Sequence, residues 1–254
     1  GNRQVWLTVH VPRDAAGGDY EGTVTVTAEG EEPRVLTLRC TVHPFDLSAP
    51  ILEYAMYYRG RLPGGDWFST TEKSETQLAL ELADLRDHGI SYPTVYQDLA
   101  SPGLFEKYLD IIKSVGLPTD KLYLHTQAAS GARAADPGED LLPKNNLPQT
   151  PEQLAAFDAR LRKYLSTAAE HGFPNSYVYG FDEAKPDVMR QLEPALAQAH
   201  KAGAKVYAAV NVPGASELVG GLVDVAVMHG FVRELRTPAE IDAWRKYGAR
   251  PFLY

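Results

Sequence analysis

From Ile51 to the last residue, short apolar runs alternate with amphipathic segments of helical period, and this alternation constrains the fold more than any other feature of the chain. The apolar runs are "ILEYAMYY", "YPTVYQ", "KLYLHTQ", "YVYGFDE", "KVYAAVN", "VDVAVMHG" and "RPFLY". Between them lie "TEKSETQLALELADLRDHGI", "LFEKYLDIIKSVG", "PEQLAAFDARLRKYLSTAAEHG", "PDVMRQLEPALAQAHKAG", the short "GASELVGG" and "PAEIDAWRKYG". In the first helical segment Leu78, Leu82 and Leu85 share one stripe and Gly89 supplies the stop, while the third begins with Pro151 and ends at Gly172. Strands returning through helices pair in parallel, with the helices outside. Seven strands in roughly 200 residues is the spacing of a (β/α)8 TIM-type barrel. A doubly wound open sheet shares the alternation but carries a Gly-rich phosphate loop after its first strand, and "RGRLPGGDWF" lacks the G-x-G-x-x-G spacing. The expectation is an α/β barrel over residues 49–254, incomplete after its seventh strand and cut from a longer protein.

Residues 1–48 read differently. "QVWLTVHVP", "GDYEGTVTVTAE" and "RVLTLRCTVHPF" alternate apolar and polar residues with period two, which predicts three strands with one buried face. A sandwich takes around seven strands. The reading is therefore part of a β-sandwich whose beginning is missing, with "DLSAP" (46–50) as linker.

Composition narrows the partners. The net charge is −8 and Lys and Arg form no cluster, so a nucleic-acid surface is not expected. No apolar run approaches the ~20 residues that span a bilayer. A single cysteine, Cys40, excludes an intrachain disulfide and a Cys-based zinc site, and it reads as a buried strand residue. The opening "GNRQVWLTVHV" is already a strand pattern rather than a signal peptide.

In barrels of this type chemistry sits at the C-terminal strand ends. Those ends carry Tyr57 and Tyr58, Tyr96 and Gln97, His125 and Gln127, Asp182 and Glu183, Asn211, His229, and Tyr254. Aromatic plates and uncharged hydrogen-bonding groups suit a sugar, whose C–H faces stack on rings, whereas a phosphate would call for Arg, Lys or a Gly-rich nest. The tyrosines could equally pack the rim, and His125 and His229 could be structural. Trp67, in the first loop, is either an anchor or a sugar platform. A metal site from His125, His229 and Asp182 has no supporting H-E-x-x-H-like spacing. The polar stretch 128–150 is long enough to be a functional lid.

Asp182 and Glu183 stand side by side where an apolar strand ends. Helix capping is the bland explanation, but Pro186 is the natural first helical residue, which places both too early. Carboxylates adjacent in sequence are poorly placed to flank a glycosidic bond at the ~5–5.5 Å of a retaining pair. They suit substrate-assisted catalysis, in which one donates a proton and the other orients an N-acetyl group that attacks the anomeric carbon. The last strand, "RPFLY", supplies no Asp or Glu.

"HGFPNSYVYGFDEAKPD", "AHKAGAKVYAAVN" and "WRKYGARPFLY" resemble glycoside hydrolase family 123, and "VWLTVHVPRDAAGGDYEGTVTV" is similar to the β-sandwich preceding the barrel in that family. The resemblance spans essentially the whole chain. It implies an exo-acting β-N-acetylgalactosaminidase, extracellular or periplasmic, with no cofactor and a carbohydrate substrate. It also implies Glu183 as general acid/base and Asp182 as the group holding the 2-acetamido substituent. The family pattern continues Asp-Glu-Pro, whereas Ala184 follows here. Two readings compete with a hexosaminidase: a glycan-binding or scaffold module without catalysis, and a metal-dependent barrel enzyme.

Overall fold

The computed structural model describes residues 4–48, 51–63, 71–97, 103–125 and 150–254. The chain divides into two compact units, Gly1–Leu52 and Glu53–Tyr254. Among the described residues no helix is long and apolar enough to cross a membrane.

In the first unit, β1 (Gly18–Val26) pairs antiparallel with β2 (Arg34–Val42), in register from Gly18 opposite Val42 to Val26 opposite Arg34. The stretch "QVWLTVHVP" forms no strand, against the sequence expectation. Its alternation is real, but a strand also needs a neighbour's N–H and C=O groups, and Val5, Trp6 and Leu7 lie exposed instead. The described residues of this unit thus make a hairpin rather than two packed sheets. Cys40 on β2 is half-buried, not buried.

The second unit alternates as the pattern requires. Its elements run β3 (Ala55–Met56), α1 (Glu75–Asp87), β4 (Tyr92–Pro93), α2 (Leu104–Ser114), β5 (Leu122–Leu124), α3 (Pro151–Glu170), β6 (Ser176–Asp182), α4 (Pro186–Ala202), β7 (Lys205–Val210), α5 (Ser216–Val219), β8 (Val225–Met228), α6 (Pro238–Lys246) and β9 (Arg250–Leu253). Every pairing is parallel and between chain neighbours: β3 with β4, then β5-β6-β7-β8-β9, with a single bridge from Val95 to Leu124 linking the two groups. The first two strands are shorter than their apolar runs, with two paired residues each.

Local chemistry sets the helix boundaries. Ser74 Oγ accepts the Gln77 N–H ahead of α1. Thr150 and Gln153 form a reciprocal capping box at α3, and Thr237 Oγ1 accepts the Glu240 N–H at α6. Each such cap stabilises by about 1 kcal/mol. Gly203 closes α4 in the left-handed conformation that a side chain disfavours.

Strand alternation then divides the apolar residues into two sets. Val206, Ala208 and Val210 of β7 and Ala226 and Met228 of β8 face the helices, where Leu78, Phe105, Leu161, Leu196 and Trp244 complete the main core. The opposite face carries Tyr123, Tyr177, Tyr179, Tyr207, Ala209, Val225 and Val227. Burying each large apolar side chain contributes about 1.5–3 kcal/mol.

The sheet curls so that its two ends approach each other. Glu53, just before β3, holds Lys121 Nζ at 2.6 Å and Arg250 of β9 at 3.4 Å, and accepts the Tyr123 hydroxyl at 3.2 Å. At the other end of the strands the Tyr57 and Tyr254 rings lie 6.2 Å apart. The result is a barrel-type arc with an interior of tyrosines; among the described residues no backbone pairing joins β9 to β3.

Candidate active site

The site begins with an irregularity in β6. Tyr179 pairs with Tyr207 of β7, but the next register is Asp182 with Ala209, so three steps on β6 oppose two on β7. This is a β-bulge at Gly180–Phe181. An extra residue reverses which side of the sheet the following side chains occupy. Tyr177 and Tyr179 face the interior, strict alternation would send Phe181 there too, and instead Phe181 joins the helix-facing core. Asp182 takes the interior side, where its Oδ1 accepts the Tyr179 hydroxyl at 3.0 Å.

Glu183 diverges from its neighbour for a second reason. Its N–H still donates to Ala209 O at 3.0 Å. Its φ of 47° makes it the one non-glycine residue with left-handed backbone among the described residues. Such a conformation costs on the order of 1–3 kcal/mol and is concentrated at functional sites. The turn delivers the carboxylate to the rim, where Oε1 accepts the Tyr254 hydroxyl at 2.6 Å and lies 3.8 Å from His229 Nε2. The Phe231 N–H donates to His229 Nδ1 at 3.2 Å. In the neutral ring that bond leaves the proton on Nε2, the nitrogen nearer Glu183. Burial, reinforced by the bond to Glu183, raises the Tyr254 phenol well above its ordinary range, so it stays a donor. Burial and the neighbouring Tyr57 and Asp182 do the same for Tyr179.

His125 forms the floor. Its ring is stacked between Tyr96 (4.4 Å) and Tyr179 (4.0 Å), meets the Tyr57 ring edge-on at 5.3 Å, and has Nδ1 3.1 Å from the Tyr207 hydroxyl. Burial, and then the charge of Arg59, push its pKa down to about 3. It is a neutral plate at ordinary pH, not a proton shuttle.

The structure brings together Tyr57, Tyr96, His125, Asp182, Glu183, His229 and Tyr254 from the residues singled out in the sequence. Tyr58 is not brought to the site. It follows Tyr57 on the other face, packs on the main core and donates to Glu81 Oε2 of α1 at 2.6 Å. Gln97 is fully buried, and its Oε1 accepts the Leu62 N–H at 2.7 Å, so it braces the backbone after β3. Asn211 follows β7 half-buried, with Oδ1 sealed from water and no hydrogen-bond partner among the described residues. Gln127, Trp67 and the stretch 128–149 lie outside the described residues. His125, His229 and Asp182 do not assemble as metal ligands: among the described residues no group of three or more His, Cys, Asp or Glu is placed to hold an ion.

Tyr179, Tyr207 and Arg59 escaped the sequence reading. Tyr179 and Tyr207 lie inside their strands rather than at the ends, and only the inward face of "YVYGFDE" hinted at the first. The charge of Arg59 acts on Tyr96 and His125; its sole signal is being the first charge after "MYY".

The structural comparison agrees with the arc. A family 123 glycoside hydrolase from Clostridium perfringens, described for glycolipid glycan hydrolysis, aligns with TM-score 0.60 at 14% identity over 96% of this chain and 50% of that one. This chain thus spans half the length of that enzyme, and the likeness is one of fold. A putative α-L-fucosidase from Bacteroides thetaiotaomicron aligns more loosely, with TM-score 0.45 and 12% identity over 84% of this chain and 79% of that one. A putative phosphonomutase from Burkholderia cenocepacia gives 0.41 and 16% over 72% of each. No family model matches the chain, and no curated protein matches it.

Proposed function

We propose that this chain carries the catalytic carboxylates of a retaining exo-glycoside hydrolase that removes terminal β-linked N-acetylhexosamine, N-acetylgalactosamine foremost, by substrate-assisted catalysis. Its seven strands would then be the larger part of a (β/α)8 barrel, preceded by residues 1–48 of a β-sandwich. The observation that carries the reading is the divergence of two adjacent carboxylates. Asp182 turns inward to Tyr179 and Glu183 outward to Tyr254. Two carboxylates so divided can serve two parts of one sugar.

In the first step the acetamido carbonyl oxygen bonds to the anomeric carbon as the glycosidic C–O bond breaks. Glu183 gives its proton to the departing oxygen through Oε2, since Tyr254 occupies Oε1. Asp182 accepts the acetamido N–H and stabilises the positive charge that develops on the oxazolinium ring. In the second step Glu183, now a carboxylate, takes a proton from water, and that water reopens the ring at the anomeric carbon. Two inversions give retention, and no protein nucleophile, metal or cofactor is called for. The exposed rings beside the carboxylates, Tyr57 and Tyr254, offer apolar faces and phenol hydroxyls, which suits a pyranose, and the buried Tyr96–His125–Tyr179 stack lies beneath them. The Clostridium enzyme, which hydrolyses glycolipid glycans, supports a glycan as substrate.

The test is release of chromophore from β-N-acetylgalactosaminide, β-N-acetylglucosaminide and plain β-galactoside. Release from an N-acetylated sugar only, reduced ~10²-fold or more by Glu183→Gln, is expected. Turnover that survives the substitution removes Glu183 from this role. Binding of N-acetylhexosamine without turnover by the unaltered chain would point to a glycan-binding module.

A further inference from the structure

The two carboxylates do not share surroundings, and the difference assigns a direction to the site. Asp182 takes the Tyr179 hydroxyl, and that ring stacks on the buried His125 and meets Tyr57 edge-on inside the curled sheet. Glu183 looks along the rim, where Tyr254 and His229 form a second cluster with rings 5.1 Å apart. If Asp182 holds the acetamido group of the sugar being released, that sugar lies over the interior. The acid must then reach the oxygen on the far side of the bond, so the leaving group extends along the rim.

One side chain on that rim has no role in the fold. Phe231, in the turn after β8, is 90% exposed, the most exposed aromatic side chain among the described residues. A single exposed apolar residue is ordinary. This one is held in place: its N–H donates to His229 Nδ1, its ring lies 5.6 Å from the His229 ring, and the preceding Gly230 N–H donates to Tyr254 O at 2.7 Å. A chain of contacts thus runs from Glu183 through His229 to Phe231. The same backbone that presents the ring also fixes the His229 tautomer facing the acid.

We propose that Phe231 is the platform for a sugar ring on the leaving-group side of the scissile bond, so that it selects substrates whose leaving group is itself a pyranose. The C–H face of that pyranose would cover the phenyl ring, and apolar surface left in water would be buried only when such a ring is present. This inference rests on the reading of Asp182 and Glu183 given above. It adds a specificity-determining residue, not a catalytic one.

The experiment compares two substrates with alkoxide leaving groups, N-acetylgalactosamine β-linked to galactose and methyl β-N-acetylgalactosaminide, with the corresponding N-acetylglucosamine pair run beside them. Phe231→Ala should lower kcat/KM for the disaccharide about 5- to 10-fold, the scale of one lost aromatic contact. The methyl glycoside should stay within about twofold, because nothing reaches the rim. Phe231→Tyr, which keeps the plate, should restore most of the disaccharide activity. Equal loss on both substrates, or no loss on either, overturns the platform while leaving the carboxylate assignment standing. If the unaltered chain cleaves none of the four, the assignment has failed and the platform falls with it.

Discussion

Replacing Gly180 by alanine would test how the bulge aims the site. Gly180 sits where β6 passes beneath α4, and a Cβ built there would lie 2.8 Å from Val206 Cγ1 and 3.0 Å from Leu196 Cδ2. Both neighbours are fully buried. Val206 is β-branched and stiff at χ1, so the contact cannot be relieved by a simple rotation. Forcing a methyl group into such a core costs about 1–3 kcal/mol. The φ of Gly180 is not in the left-handed region, so alanine also gains about 0.4–1 kcal/mol through the unfolded chain. The net expectation is a loss of about 1–2 kcal/mol, or roughly 2–8 °C in melting temperature for a unit of this size. Thermal unfolding followed by far-ultraviolet circular dichroism reads it directly. The strand must shift to accept the methyl group, so the Asp182 carboxylate moves and turnover of the N-acetylated substrate should fall more than the folded fraction does. A melting temperature unchanged within 1 °C would refute the packing argument. A lowered one with full specific activity would refute the link from bulge to carboxylate.

Tyr254→Phe removes the hydroxyl that Glu183 accepts at 2.6 Å. Hydrogen bonds to charged groups are worth about 1.5–3 kcal/mol, so kcat on the same hexosaminide should fall at least ~10-fold with little change in KM, and an unaltered kcat would sink the role. His125 is held neutral in the fold down to about pH 3, whereas the unfolded chain takes up its proton near 6.5. Its contribution to stability is therefore complete above the unfolded value and lost as pH falls from there toward the folded one. In urea unfolding, the stability lost between pH 7 and pH 5 should be about 2 kcal/mol smaller in His125→Asn than in the unaltered protein; identical pH dependence would contradict the burial of the ring.

Much of the architecture is legible from neighbouring residues. The leucine spacing of α1, the Pro151 start of α3 and the apolar runs of β6 to β9 are local patterns, and each became the element expected. The pairing of Asp182 with Glu183 was visible too, as was their position just ahead of the helix opened by Pro186. "QVWLTVHVP" shows the boundary of this logic: alternation specifies a face, but pairing needs a partner that no local pattern supplies.

The direction of side chains was settled elsewhere in the chain. Tyr57 and Tyr58, just after β3, look alike in sequence, yet one meets His125 in the interior and the other reaches Glu81 of α1. The inward turn of Asp182 depends on a bulge that exists only where β6 meets β7. The left-handed turn at Glu183 leads to Tyr254, which is 71 positions away, and the neutral state of His125 follows from rings and charges on other strands. Periodicity and capping are short-range and written in consecutive residues. The partners of a hydroxyl, the dielectric around an imidazole and the room beside a glycine belong to elements that meet only when the sheet has curled.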